Sequence, residues 1–367
     1  MRSTRARSGY ITLATFLVVI VGVEAGARLL APSLPIDPGK WPRIEIAQKL
    51  NQIRHYANEG QQVDVVFAGS SMMAGGVDAV AFTEASGASS YNAAFAGPSM
   101  RTVTPWVVDI VQPLLSPEVV VVGIQSRELS DNGPKNLVMY EKFVASPGYK
   151  QATGSIVSRL EGELENLSYF MRYRRALREP GQLFQADSEQ SLAEAATRQV
   201  IGPRGTRLEE PREYHRPPKL IRGLYEKTLV DFAVGGPEYQ ALVDLERELS
   251  ARGVRLVLLN MPVTDDYWEA HEDAVSDRLA YHEALTRFVS ETGVTLIDAE
   301  GAFGTPAAFR DPVHLDVEGR RSLAVALADR WWDIMDADGA AFLVACGSGA
   351  DPECRVEPDP AGLAEAD

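Results

Sequence analysis

The stretch Val63-Asp64-Val65-Val66-Phe67-Ala68-Gly69-Ser70-Ser71-Met72-Met73-Ala74-Gly75-Gly76 decides the fold. Its first half is an apolar, β-branched run, and a continuous run of this kind suits a strand buried on both faces of a parallel sheet. The glycine and two serines then mark the strand's carboxyl end and the start of a helix. Backbone N–H groups at such a junction favour an anion. A plainer role is open for Ser70, which as a serine is a common helix cap.

Outward from this stretch, the helix-like Val77–Ser86 leads to a strand around Ser90-Tyr91-Asn92-Ala93-Ala94. A helix is expected over Thr102–Leu115, then the strand Val119-Val120-Val121-Val122-Gly123-Ile124. Residues 133–235 break the pattern: they are polar, rich in Arg, Glu, Gln and Pro, with helical pieces such as Ser155–Leu177. They read as an insertion or helical subdomain. The alternation resumes with a helix at Glu238–Arg252, the strand Arg255–Asn260, a helix at Asp277–Thr292, the strand Val294–Asp298 and a last helix at Asp316–Met335. Strands alternating with helices predict an α/β fold with an open, mostly parallel sheet, whose ligand site lies beyond the carboxyl ends of the strands. The domain spans 61–335, and no internal repeat interrupts it.

Composition narrows the function classes. The chain has 367 residues, 45% of them hydrophobic, with 36 Lys+Arg against 51 Asp+Glu and a net charge of −15. That argues against a nucleic-acid partner, which needs a basic face. Residues 1–30 hold four Arg and one Glu, so they carry +3 and the rest carries −18. Arg2, Arg5 and Arg7 precede the apolar run Gly9–Leu30, whose charges Glu24 and Arg28 can pair at i and i+4. Residues 1–31 therefore read as a membrane anchor with the domain outside, or as a signal peptide cut near Ala25-Gly26-Ala27. Residues 32–60 are a polar, helical connector. Residues 336–367 read as an acidic tail, in which Cys346 and Cys354 form a local disulfide or remain two free thiols.

Two segments can carry chemistry. Gly69-Ser70-Ser71 lacks the Gly-Lys-Ser/Thr of a P-loop and the G-x-S-x-G of a nucleophile elbow, and no dinucleotide fingerprint occurs. Asp311-Pro312-Val313-His314 precedes the last helix. Of the five histidines, His314 alone has a carboxylate three residues upstream in such a loop. That spacing lets Asp311 orient the imidazole, and the imidazole can deprotonate a serine. An unrelated surface pair is the competing reading.

Taken together, these two segments resemble the SGNH (GDSL-like) hydrolase superfamily. Gly69-Ser70-Ser71 corresponds to its Gly-Asp-Ser block, with Ser71 in the nucleophile's place and Ser70 where Asp is usual. Asp311-Pro312-Val313-His314 corresponds to its Asp-x-x-His block, and Gly97 to the glycine after the second strand. The Gly-x-Asn-Asp block departs: the strand ends Gly123-Ile124-Gln125-Ser126-Arg127, so Gln125 or Arg127 would supply the oxyanion donor beside the N–H groups of Ser71 and Gly97. Asn92 is a further amide near the site, with a structural role at the strand end the simpler one. The resemblance implies a flavodoxin-like three-layer α/β/α domain, acyl-ester chemistry through an acyl-serine, and no metal or cofactor. With the anchor, it resembles the branch of alginate acetylation proteins and the teichoic-acid D-alanyl transfer protein. That implies an O-acyltransferase or O-acylesterase acting outside the membrane on a cell-envelope glycan, beside a membrane-bound O-acyltransferase. A general esterase for small or lipid esters and a catalytically silent scaffold module are the alternatives. An acidic domain favours neutral or weakly charged glycans. In the insertion, Tyr169, Phe170, Arg172, Tyr173, Arg174 and Arg175 would line a glycan groove or a subdomain core.

Overall fold

The apolar run that opens the first motif forms β1 (Val65–Gly69), buried at all five positions. This is a computed structural model, and it describes residues 2–30, 41–154, 160, 164, 167–171, 201–337, 339–347 and 353–359. The other expected runs become β2 (Ser90–Asn92), β3 (Val119–Ile124), β4 (Arg255–Asn260) and β5 (Thr295–Asp298). All pair in parallel, and the sheet order begins β2-β1-β3-β4-β5, the flavodoxin-like winding. The strand order reverses at β1, between β2 and β3. A crevice opens at such a switch point, and Ser71 directly follows β1 there.

Two glycines let the next helix approach. Gly69 has φ +142°, and a Cβ there would lie 2.7 Å from the Gly123 carbonyl oxygen. A Cβ on Gly123 would lie 2.9 Å from the Met73 side chain. The short helix Ser71–Ala74 therefore rests on backbone, with Met72 and Met73 buried.

The C-terminal stretch corrects the expectation of a solvated tail. Ala341–Cys346 is β8, parallel to β5, and Cys354–Pro358 is β9, antiparallel to β8. Phe342 and Val344 face inward and Leu343 outward, a period-two pattern overshadowed by the surrounding acidic residues. The Cys346–Cys354 disulfide joins the two strands at a paired register position. A separate two-stranded ribbon, β6 (Phe309–Asp311) and β7 (His314–Leu315), carries the Asp-x-x-His segment.

The chain divides into two units: 1–44 with 145–199, and 45–144 with 200–367. The expected insertion is thus split between them. In the first unit the N-terminal helix runs Arg2–Leu30. Its Glu24 carboxylate accepts from Arg28, from Ser168 Oγ at 2.8 Å and from the Tyr169 N–H at 2.9 Å. Phe16, Val18, Val21 and Leu29 are exposed on it. Among the described residues, however, no helix is long and apolar enough to cross a membrane, so the transmembrane span is not supported. Residues 32–40 of the connector, most of Ser155–Leu177, and Arg172, Tyr173, Arg174 and Arg175 lie outside the described residues.

Gly69→Ala should lower the stability of the second unit by about 1–3 kcal/mol from backbone conformation alone, with the Gly123 contact adding to it. Urea unfolding of the variant against the wild type measures this, and an unchanged midpoint would mean that the close approach is not required.

Candidate active site

Ser70 is the N-cap of the Ser71–Ala74 helix: its extended backbone ends β1, and its hydroxyl accepts the Met72 N–H at 3.2 Å. Burial raises the pKa of the nearby Glu128 carboxyl, and the Ser70 hydroxyl works against that shift. Capping turns Ser71 into the first helical residue, 8% exposed, at the carboxyl end of the sheet.

His314 comes to the same point from the other end of the domain. Asp311 Oδ1 accepts the N–H groups of Val313 at 3.0 Å and His314 at 3.1 Å, a local turn that aspartate favours. That turn closes the β6–β7 ribbon and leaves both Asp311 oxygens 2.9 Å from His314 Nδ1. His314 Nε2 then lies 2.9 Å from Ser71 Oγ. The carboxylate accepts the Nδ1 proton, so Nε2 is left as the acceptor facing the hydroxyl.

The electrostatics favour the same proton arrangement. Burial lowers the His314 pKa most, and the charges of Arg310 and Arg127 lower it further, against the raising effect of Asp311. Burial works to raise the Asp311 pKa, but the hydrogen bond and charge of His314 outweigh it and the net shift is downward. A neutral imidazole beside an ionised carboxylate follows. Arg310 is itself held by Glu209 at 2.5 Å, and Glu209 also faces Arg207 at 3.3 Å. Arg127 Nε pairs with Glu128 Oε1 at 2.8 Å, and both side chains are buried. Glu128 Oε2 accepts the Gln125 N–H.

Of the expected oxyanion donors, the structure directs two elsewhere. Gln125 caps the turn Ser126–Leu129: its Oε1 accepts the Ser126 N–H at 2.7 Å, and its amide nitrogen donates to Asn260 and to the Met261 carbonyl. Asn92 donates to the carbonyls of Met73 and Val77, both at 3.0 Å, and accepts the Ala94 N–H. Its role is to tie β2 to the helix that carries Ser71. The loop with Gly97 is laid along β1: the Phe95 N–H donates to the Gly69 carbonyl, and the Ala96 N–H to Glu45. Gly97 has φ +92°, a turn that glycine adopts readily.

Lys49 escaped the sequence reading. It is fully buried, donates to the carbonyls of Asn92 at 2.5 Å and Gly205 at 2.8 Å, and has its pKa lowered to about 7, chiefly by burial. Its only sequence signal is its place on the apolar side of the helix Ile44–Asn58, between buried Ile46 and Leu50. Glu209 lies on an irregular segment and Arg310 in the short strand β6, and neither gave a signal.

Comparison with known proteins adds little. No family model and no curated protein matches the chain. Among solved structures it is similar to a Bacteroides fragilis protein described as a "putative acylhydrolase", at 12% identity and a TM-score of 0.39, over 79% of this chain and 97% of that one. At that TM-score the likeness carries no functional argument.

The environment of His314 makes a direct prediction. Its imidazole, followed by NMR, should titrate below the usual value of about 6.5. In Asp311→Asn the midpoint should fall further, because the carboxylate favours the imidazolium. A midpoint at or above the usual value in the wild type would contradict the arrangement.

Proposed function

We propose that this chain is a serine-dependent acyl-ester enzyme of the SGNH type, with Ser71 as nucleophile, His314 as general base and acid, and Asp311 as the residue that orients the imidazole. The carrying observation is the hydrogen-bonded line from Asp311 through His314 to Ser71, each step 2.9 Å. The chain order Ser, Asp, His and the site's place at the switch point of the sheet support the same reading.

The chemistry follows from that line. His314 Nε2 takes the Ser71 proton as Oγ attacks the acyl carbonyl carbon. The N–H groups of Ser71 and Gly97 stabilise the oxyanion, with the Arg127 charge behind them. The bond to the leaving alcohol breaks, and that oxygen takes the proton from His314. Water or a sugar hydroxyl then attacks acyl-Ser71, its proton passing to His314 and on to the departing Ser71 oxygen.

For substrate and place we infer an acylated, neutral or weakly charged glycan of the cell envelope, met outside the membrane. The basic leader Arg2, Arg5 and Arg7, the exposed apolar side chains of the N-terminal helix, and the −18 remainder support this reading. A membrane-bound O-acyltransferase is the partner it would suit.

A serine-directed fluorophosphonate should label Ser71 in the wild type, and Ser71→Ala should abolish the label. The same variant should lower kcat on p-nitrophenyl acetate by about ten-thousandfold or more. Wild-type protein with neither labelling nor turnover would overturn the enzyme reading in favour of a silent scaffold. A reporter fused after Asp367 should be active only outside the cytoplasm, and an active cytoplasmic reporter would overturn the location.

A further inference from the structure

A second Ser–His–Asp line runs through the core, apart from the first. Asp277 Oδ2 lies 2.9 Å from His271 Nδ1, and His271 Nε2 lies 3.0 Å from Ser126 Oγ. Ser126 Oγ is also 2.5 Å from the Tyr267 hydroxyl, which accepts the Arg127 N–H at 3.2 Å. Ser126 and Tyr267 are fully buried, and the His271 side chain is closed off by the rings of Phe232, Trp268 and Tyr267.

The residue types match a catalytic triad, but the setting excludes that role. Ser126 Oγ is held between two partners, with no room for an ester carbonyl. The hydrogen bonds instead run in one direction. The Arg127 N–H donates to Tyr267, Tyr267 to Ser126, Ser126 to His271 Nε2, and His271 Nδ1–H to Asp277. Each hydroxyl both donates and accepts, and the imidazole is neutral. A protonated His271 would reverse the Ser126 bond and leave one hydroxyl proton of the Ser126–Tyr267 pair without an acceptor. Burial, which lowers the His271 pKa, acts in the same sense.

The far end of this line is the turn that carries Arg127. We propose that Asp277, His271, Ser126 and Tyr267 are positioning residues, which fix the 125–129 turn, and Arg127 with it, at the carboxyl end of β3 next to the β1 end that carries Ser71. The inference rests on the reading of Ser71 as nucleophile. Sequence spacing hides it, because Ser126 is separated from His271 by 145 positions.

His314 touches Ser71 and Asp311, and the charges of Arg310 and Arg127 oppose its protonation. Release of Arg127 should therefore raise the His314 midpoint. In full-length protein, His271→Gln and Asp277→Asn should move the NMR midpoint of His314 upward and lower kcat on p-nitrophenyl acetate on the order of tenfold to a hundredfold, with KM little changed. Tyr267→Phe, which removes one hydroxyl, should act in the same direction and is the variant that counts if the others fail to fold. Arg127→Gln should give the same midpoint shift, and the double variant Arg127→Gln/Tyr267→Phe no further one. An unmoved midpoint with unchanged kcat, whatever the loss in thermal stability, would reduce the line to core packing. Absence of Ser71 labelling in the wild type would overturn the enzyme reading alone, since the NMR midpoints report on the relay without turnover.

Discussion

The helix that begins at Ser71 can lie on the sheet only because β1 ends in one glycine and β3 carries another beside it. With a side chain at Gly69 or Gly123, the Met73 side chain or the neighbouring backbone would have to move. That close approach fixes the height of Ser71 above the switch point. It also sets the distance to His314, which arrives from 243 residues later in the chain. Misplacement of the serine by an ångström would forfeit most of the benefit of holding the hydroxyl and imidazole together.

The site sets a local charge pattern against that of the whole chain. In a protein of net charge −15, the charges of two arginines bear on the imidazole, each tied to a carboxylate: Arg127 to Glu128 and Arg310 to Glu209. Isolated buried charges would be costly, and pairing offsets that cost while holding the cations in place. Lys49 plays a quieter part. Its ammonium closes two backbone carbonyls in the core, one of them on Asn92, whose own amide holds the Ser71 helix.

Much of this was legible in the sequence, for physical reasons. β1, β3, β4 and β5 are continuous apolar runs, because both faces of a parallel sheet are covered. Ser71, Asp311 and His314 stand in segments whose local turns are encoded within three or four residues. The β8–β9 hairpin that closes one side of the sheet was missed because a half-buried hairpin dilutes its apolar residues with charged ones. Gln125 was read by residue type alone, and an amide near a site satisfies backbone carbonyls as readily as it awaits a substrate, whereas Asn92 takes the structural place at the strand end that its position suggested. The Ser126–His271–Asp277 line has no local signature at all, since only tertiary packing brings its members together.

The central claim is that Ser71 forms a covalent acyl intermediate. Brief incubation with p-nitrophenyl acetate, an acid quench and peptide mass mapping test it most directly. The account predicts one acetyl group, on Ser71, absent from Ser71→Ala and accumulating more slowly in His314→Ala. Rapid turnover with no acetyl group on Ser71, or turnover undiminished in Ser71→Ala, would contradict it.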